Sequence, residues 1–208
     1  MFNELLDQRN IGLWNKLISQ FDIQIIETIN YKLEFKSDSN SALIYVDTRK
    51  SKELFTHELL HLELRYFGLD TVTFFDFTKF NQYEEQIAYN LLNNIEHILF
   101  FDEFIKLKFN PKLFVEGISN KKILDKQINQ YKMLEKIDLK LYYTSLYFTL
   151  KAEEYYGEKR FDFLMKLKKL NKKYFERCEK AYSSILDLDL EIHPNVQFEK
   201  IMKILFTE

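Results

Sequence analysis

The sequence predicts an α+β protein in which a small, mainly antiparallel sheet packs on one helix and a largely helical C-terminal half follows. Alternating apolar and polar residues are confined to positions 21–47, and helical spacing dominates from residue 51 onward. Only 4 Gly and 2 Pro occur in 208 residues, which excludes an all-β sandwich with many tight turns. A hydrophobic fraction of 46% is enough for a sizeable core.

The N-terminal third supplies the sheet. Apolar spacing over residues 2–20 predicts a helix with a break near Gly12. Residues 21–47 predict two or three strands, because apolar and polar side chains alternate there. The turn-forming run 37–41 is rich in Ser, Asp and Asn, and we expect it to join the last two strands as a hairpin.

The rest of the chain predicts helices. The helix that begins at Ser51 ends before Gly68, a common stop residue. A strand-like or irregular stretch is expected over 70–80. Helices are expected over 51–67, from about Gln82 to Lys106, over 118–186 with breaks near Asp138 and Gly157, and from Pro194 onward. We therefore expect a core domain over 1–110 and a helical extension over 111–208, packed on that core.

Composition narrows the compartment and the partners. The 30 basic and 32 acidic residues nearly balance, so no basic excess indicates nucleic-acid binding as the main function. Cys178 is the single cysteine, which fits a reducing compartment. The N-terminus has no signal-peptide pattern, and no apolar run is long enough to span a bilayer. We therefore expect a cytoplasmic protein with no membrane partner.

A metal-binding pattern lies in the first strong helix. His57-Glu58-Leu59-Leu60-His61 is a His-Glu-x-x-His sequence, and residues four apart share a helical face, so both imidazoles can reach one ion. Glu58 is turned about 100° from His57 and can stand beside a metal-bound water. This spacing is typical of a zinc hydrolase, in which zinc acidifies the water, Glu58 takes its proton and the resulting hydroxide attacks a carbonyl carbon.

The third ligand must come from another element. Glu96 and His97 lie on the next long helix, and either could bind the ion. Helical geometry does not separate them, because both lie about equally far from the centre of the apolar face. The residue that does not bind could orient a ligand or contact substrate.

The stretch from Phe55 to Leu62, after a short hairpin and before a helix bearing Glu96, resembles the zincin metallopeptidases. It is most similar to the small gluzincin-like proteins of the ImmA/IrrE type. This resemblance covers about residues 20–110 and implies zinc ligands at His57, His61 and Glu96, with Glu58 as general base. It also implies a small sheet, an active-site helix and a second helix that supplies an acidic ligand.

These features predict a zinc-dependent metallopeptidase that hydrolyses a peptide bond. We expect the peptide or protein substrate to extend along an edge strand formed by Leu43, Ile44, Tyr45 and Val46, adding backbone hydrogen bonds. The alternative is a catalytically silent protein on the same scaffold, which would bind a protein or nucleic-acid partner through its helical half. Lysines over 159–173 are the residues that a nucleic-acid partner would contact.

Overall fold

The computed structural model describes residues 2–29, 32–35, 40–47, 49, 51–115, 119–131 and 138–207. The chain is a mixed α and β protein and is mostly helical, as predicted. The strands are β1 (Asp22–Glu27), β2 (Lys32–Phe35) and β3 (Ser41–Val46). The α-helices of the described residues are α1 (Ile11–Ile18), α2 (Lys52–Tyr66), α3 (Gln82–Lys106), α4 (Lys121–Tyr131), α5 (Leu139–Tyr155), α6 (Phe161–Leu170), α7 (Lys172–Leu186) and α8 (Pro194–Phe206).

Helix α2 begins and ends where its capping residues predict. The backbone N–H of Leu54 donates to Ser51 Oγ at 3.3 Å, which satisfies one of the unpaired donors of the first turn. Gly68 has a φ of +87°. In that conformation Leu69 N–H reaches Leu64 O at 2.9 Å and closes the helix with a Schellman-type bond.

One local expectation needs correction. The first helix is not broken at Gly12, which lies inside α1; the interruption covers residues 6–10, between the 3-10 turn Phe2–Leu5 and α1. The stretch 70–80, expected to be strand-like or irregular, is irregular and holds the 3-10 turns Thr71–Phe74 and Phe77–Lys79. Its run of aromatic residues resembles a strand in composition, but it packs as successive tight turns.

The sheet has the order β1-β3-β2, and its mainly antiparallel character was predicted wrongly. β3 is parallel to β1, with Ser41 opposite Asp22 at one end and Val46 opposite Glu27 at the other. It is antiparallel to the shorter strand β2. The antiparallel β2–β3 pair agrees with the expected hairpin, whose turn lies mostly outside the described residues. Side-chain alternation sets the faces of a strand and carries no information about its direction, so the parallel pair could not be foreseen.

The described chain divides into two compact units. The first comprises Met1–Leu69 and Phe100–Glu116, and the second comprises Asp70–Leu99 and Gly117–Glu208. The chain passes into the second unit after Leu69, returns to the first within α3 after Leu99 and passes into the second again after Glu116. Neither unit is therefore one continuous segment. Helix α3 contributes residues to both units. The expected core domain over 1–110 and helical extension over 111–208 stay a prediction.

In the first unit, α2 lies against α1 and against strands β2 and β3. Buried Asn10 ties α1 to α2, because its Nδ2 donates to Thr56 Oγ1 at 3.0 Å and to Leu5 O at 2.9 Å. Lys16 on α1 pairs with Glu63 on α2 at 2.8 Å. These bonds hold α2 in a fixed position while its apolar side chains fill the core.

In the second unit, α5 packs against α4, α6, α7 and α8. Its side chains Tyr143, Tyr147 and Phe148 have no exposed surface. The hydroxyl of Tyr143 donates to Leu167 O at 2.8 Å, near the end of α6, and the same oxygen also accepts the Asn171 N–H at 3.2 Å. Aromatic bulk with a hydroxyl at its tip thus lets one side chain fill the core and bond a neighbouring helix.

Candidate metal centre

Helix α2 brings the two predicted histidine ligands together. Since His57 and His61 are one turn apart, their rings lie side by side, and Nε2 of one is 3.1 Å from Nε2 of the other. His57 is 8% exposed, whereas His61 is half-buried. Glu58 follows His57 on the same helix and is also half-buried. Two imidazole nitrogens therefore converge on one point, with a carboxylate adjacent in sequence.

Aromatic rings surround this pair within the first unit. Phe100, in the part of α3 that belongs to that unit, meets the rings of His57 at 5.5 Å and His61 at 4.8 Å, edge to face in both cases. Phe114 meets the His57 ring at 4.8 Å. Apolar walls lower the local dielectric, so charge on a ligand or an ion is felt more strongly there than in water.

Burial keeps His57 in the form that a metal needs. Its pKa lies well below the ordinary 6.5, chiefly because burial penalises the charged ring and secondly because of the neighbouring His61. A backbone hydrogen bond at Phe114 acts in the opposite direction and is the smallest of the three influences. His57 is therefore neutral at physiological pH, and a metal need not displace a proton from an imidazolium at this position.

The third histidine is the one that the sequence offered as the alternative ligand. His97 lies on α3 and is 5% exposed. His57, His61 and His97 form a group of three whose ligand atoms all lie within 4.8 Å of one another, and this group could hold a metal ion. Nothing in the arrangement by itself identifies the ion as zinc.

Glu96, the ligand that the resemblance implied, is half-buried on the same helix. One of its carboxylate oxygens, Oε1, accepts a hydrogen bond from the Thr71 hydroxyl. It does not belong to the group of potential ligands around His57. Its assignment as third ligand stays a prediction, next to that of His97.

The expected substrate strand is not at an edge. β3 is the central strand, hydrogen-bonded to β1 on one side and to β2 on the other. Ile44 and Val46 are fully buried, while Leu43 and Tyr45 are partly covered. The prediction that residues 43–46 form an edge strand is therefore wrong, because a strand paired on both sides has no backbone groups left for a substrate.

Sequence reasoning missed the aromatic walls of the centre. Phe100 lies one helical turn after Glu96 and His97 on α3, so its position beside the predicted ligands could have been inferred from the sequence. Phe114 directly follows the 3-10 turn Pro111–Leu113. No sequence periodicity connects this position with α2, so its contact with His57 could not be predicted. The single cysteine lies outside this centre: Cys178 is fully buried, and burial raises the pKa of its thiol to about 12.

Comparison with known proteins finds no relative of this chain. No family model matches the chain, and neither the curated proteins nor the solved structures contain a match. The zincin resemblance thus stays a prediction that depends on five residues of α2. Within the described part of the chain, none of the helices combines the length and the apolar character that crossing a bilayer requires.

Proposed function

We propose that this protein is a metal-dependent hydrolase, most simply a zinc peptidase, in which His57, His61 and His97 hold the ion and Glu58 is the general base. One observation carries the proposal: the two Nε2 atoms that α2 presents lie 3.1 Å apart. Two nitrogens at about 2.0–2.1 Å from a tetrahedral zinc ion stand roughly 3.3–3.4 Å apart, so the pair is already close to ligand spacing.

The 3.1 Å separation also suits a hydrogen bond from a protonated Nε2 to an unprotonated one. A ligating Nε2 must offer its lone pair, so the neutral ring that carries its proton on Nε2 has to move that proton to Nδ1 before it binds an ion. The low pKa of His57 supports the proposal, since this ring is not an imidazolium that would have to lose a proton.

His97 completes the set better than Glu96. It belongs to the group within 4.8 Å, whereas Glu96 accepts a bond from Thr71. Three neutral ligands leave the full dication charge at the site, and three histidines with an open position are a known catalytic zinc set.

A zinc ion at this centre would supply Lewis acidity and lower the pKa of a bound water towards about 7. Glu58 stands about 100° around the helix from His57, where its carboxylate can take a proton from the attacking water and return it to the leaving amine. Phe100 packs against the rings of His57 and His61, and Phe114 packs against the ring of His57. A peptide substrate that added as a strand would need an outer strand of the sheet, not β3.

Metal content tests the proposal directly. We expect about one zinc ion per chain, measured by elemental analysis after dialysis against zinc and removal of the excess. His61→Ala should lose that zinc, and His193→Ala should keep it, because His193 is the exposed residue that precedes α8. A wild-type protein that retains no zinc would end the proposal. A zinc-loaded protein that cleaves nothing in a peptide library would refute the hydrolase and keep the metal centre.

A further inference from the structure

The second unit contains a cleft that the proposed metal chemistry does not use. It is lined by residues of α3, α4 and α5, opens to solvent and has a cavity volume of about 140 Å³. This volume is below the usual range for drug-sized ligands, so an occupant of the cleft must be small. Its lining is uncharged and combines hydroxyl and amide groups with aliphatic side chains; the polar residues that matter here are Tyr83, Asn90, Gln127, Tyr142, Ser145 and Thr149.

Hydrogen bonds fix one wall of the cleft. Asn90 Nδ2 donates to Ser145 Oγ at 3.1 Å and to Thr149 Oγ1 at 3.3 Å, and Asn94 Nδ2 donates to Thr149 Oγ1 at 3.1 Å. Thr149 uses its own hydroxyl hydrogen on Ser145 O at 2.9 Å. The hydroxyl hydrogen of Ser145 has no such acceptor among the described residues, so it is available to a ligand.

The opposite wall holds an acceptor without a donor. Gln127 Oε1 is buried, and no group in the described part of the chain donates to it. The Tyr142 hydroxyl, 3.1 Å away from the Gln127 backbone oxygen, donates there instead. Burial raises the pKa of Tyr142 to about 12, so this hydroxyl remains a neutral donor. A buried acceptor left unsatisfied is unfavourable, and an incoming N–H or O–H would relieve it.

We propose that this cleft binds a small, uncharged, ring-sized molecule that carries both hydrogen-bond donors and acceptors. Monosaccharides and nucleosides share that chemistry. A charged ligand would find no counter-ion in the lining, and a purely apolar one would leave Gln127 Oε1 and the Ser145 hydroxyl unsatisfied. Tyr83, 47% exposed, offers a flat ring against which a sugar or base can stack.

Ligand-observed NMR with matched probes tests the cleft. Glucose and uridine are the neutral probes, and glucose 6-phosphate and uridine 5′-monophosphate are their charged counterparts. We expect saturable binding of at least one neutral probe below about 50 mM, with its phosphorylated counterpart at least about tenfold weaker. Binding of glucose would indicate a monosaccharide ligand, and binding of uridine would indicate a nucleoside. Failure of both neutral probes, or equal binding of the charged ones, overturns the proposal.

A substitution at Gln127 tests whether the probe binds in this cleft. Gln127→Leu should weaken the bound probe by about tenfold or more, because a ligand donor loses its acceptor. The melting temperature of the free variant should stay the same or rise, since an unsatisfied buried oxygen disappears; a residue with a structural role would lower it. Gln130→Leu, an exposed change on the same helix, should leave binding intact. Unchanged affinity in Gln127→Leu would also overturn the proposal.

Discussion

Two buried helices, α2 in the first unit and α5 in the second, each carry ring side chains with polar atoms, and they use them differently. On α5 the Tyr143 hydroxyl donates to Leu167 O at 2.8 Å, and the Tyr147 hydroxyl donates to Glu179 at 2.6 Å. On α2 the rings of His57 and His61 direct Nε2 atoms at each other, 3.1 Å apart. The α5 rings bond neighbouring helices, whereas the α2 rings converge on one point.

Burial also affects the two kinds of ring in opposite ways. It raises the pKa of Tyr143 and of Tyr147, which keeps both phenols protonated and confines them to donating hydrogen bonds. It lowers the pKa of His57, which keeps a nitrogen lone pair available. The same low-dielectric environment therefore makes α5 a structural element and α2 a candidate for metal chemistry.

Glu58→Gln should produce the largest effect and would separate chemistry from metal binding on α2. A carboxamide cannot take the proton from water, so we expect hydrolysis to fall by about 10²- to 10⁴-fold while zinc content is unchanged. The control is Glu63→Gln on the same helix. Its carboxylate pairs with Lys16 at 2.8 Å, so stability should change and catalysis should not. Equal cleavage by Glu58→Gln and wild type would remove Glu58 from the mechanism.

Zinc should stabilise the wild type through α2 and not through α5. At a zinc concentration of about 100 Kd, a ligand specific for the folded state adds about 2.7 kcal/mol, which raises the melting temperature by several degrees. His57→Ala should lose this increment, and Tyr147→Phe should keep it from a lower starting point. Thermal denaturation with and without zinc measures both. If His57→Ala keeps the zinc increment, the ion binds elsewhere.

The contrast also shows which features the sequence could predict. α3 runs from Gln82 to Lys106 as its periodicity indicated, and α2 ends beside Gly68, because local propensity and capping determine helix ends. The pair His57 and His61 was predictable because it needs only the period of one helix. Relations between distant segments were not predictable from local pattern.

Those distant relations include strand direction and the third ligand. Parallel pairing of β1 with β3 depends on how the chain crosses the sheet, and it makes β3 central where an edge was expected. Choosing between Glu96 and His97 requires the rotation of α3 about its own axis, which packing sets. The cleft around Gln127 is formed by residues of three helices, so the periodicity of any one helix could not indicate it.

Tyr147→Phe tests the structural role of α5. Its hydroxyl donates to Glu179 Oε1 at 2.6 Å, and the ring is fully buried, so removing the oxygen deletes a charge-assisted bond. We expect a loss of about 1–2 kcal/mol in the free energy of unfolding, because Glu179 can be partly hydrated instead. Tyr89→Phe, at a site 46% exposed, should change stability by less than about 0.5 kcal/mol. Equal effects in urea denaturation would contradict the assignment.

The last prediction is a pH dependence of stability that His57 on α2 contributes. The folded zinc-free protein keeps His57 neutral below its ordinary pKa of 6.5, whereas the unfolded chain takes up a proton there, so stability is full above about pH 6.5 and falls as pH decreases. The slope is at most about 1.4 kcal/mol per pH unit. Asp7, with its pKa lowered mainly by Arg9, acts mainly below its ordinary 3.8 and so contributes little between pH 5 and 6.5. In urea denaturation with chelator present, His57→Gln should show a shallower slope over this window, and Tyr147→Phe should keep the wild-type slope. Parallel slopes for wild type and His57→Gln would mean that His57 is protonated in the folded state, and therefore that the α2 pair is not a preformed ligand set.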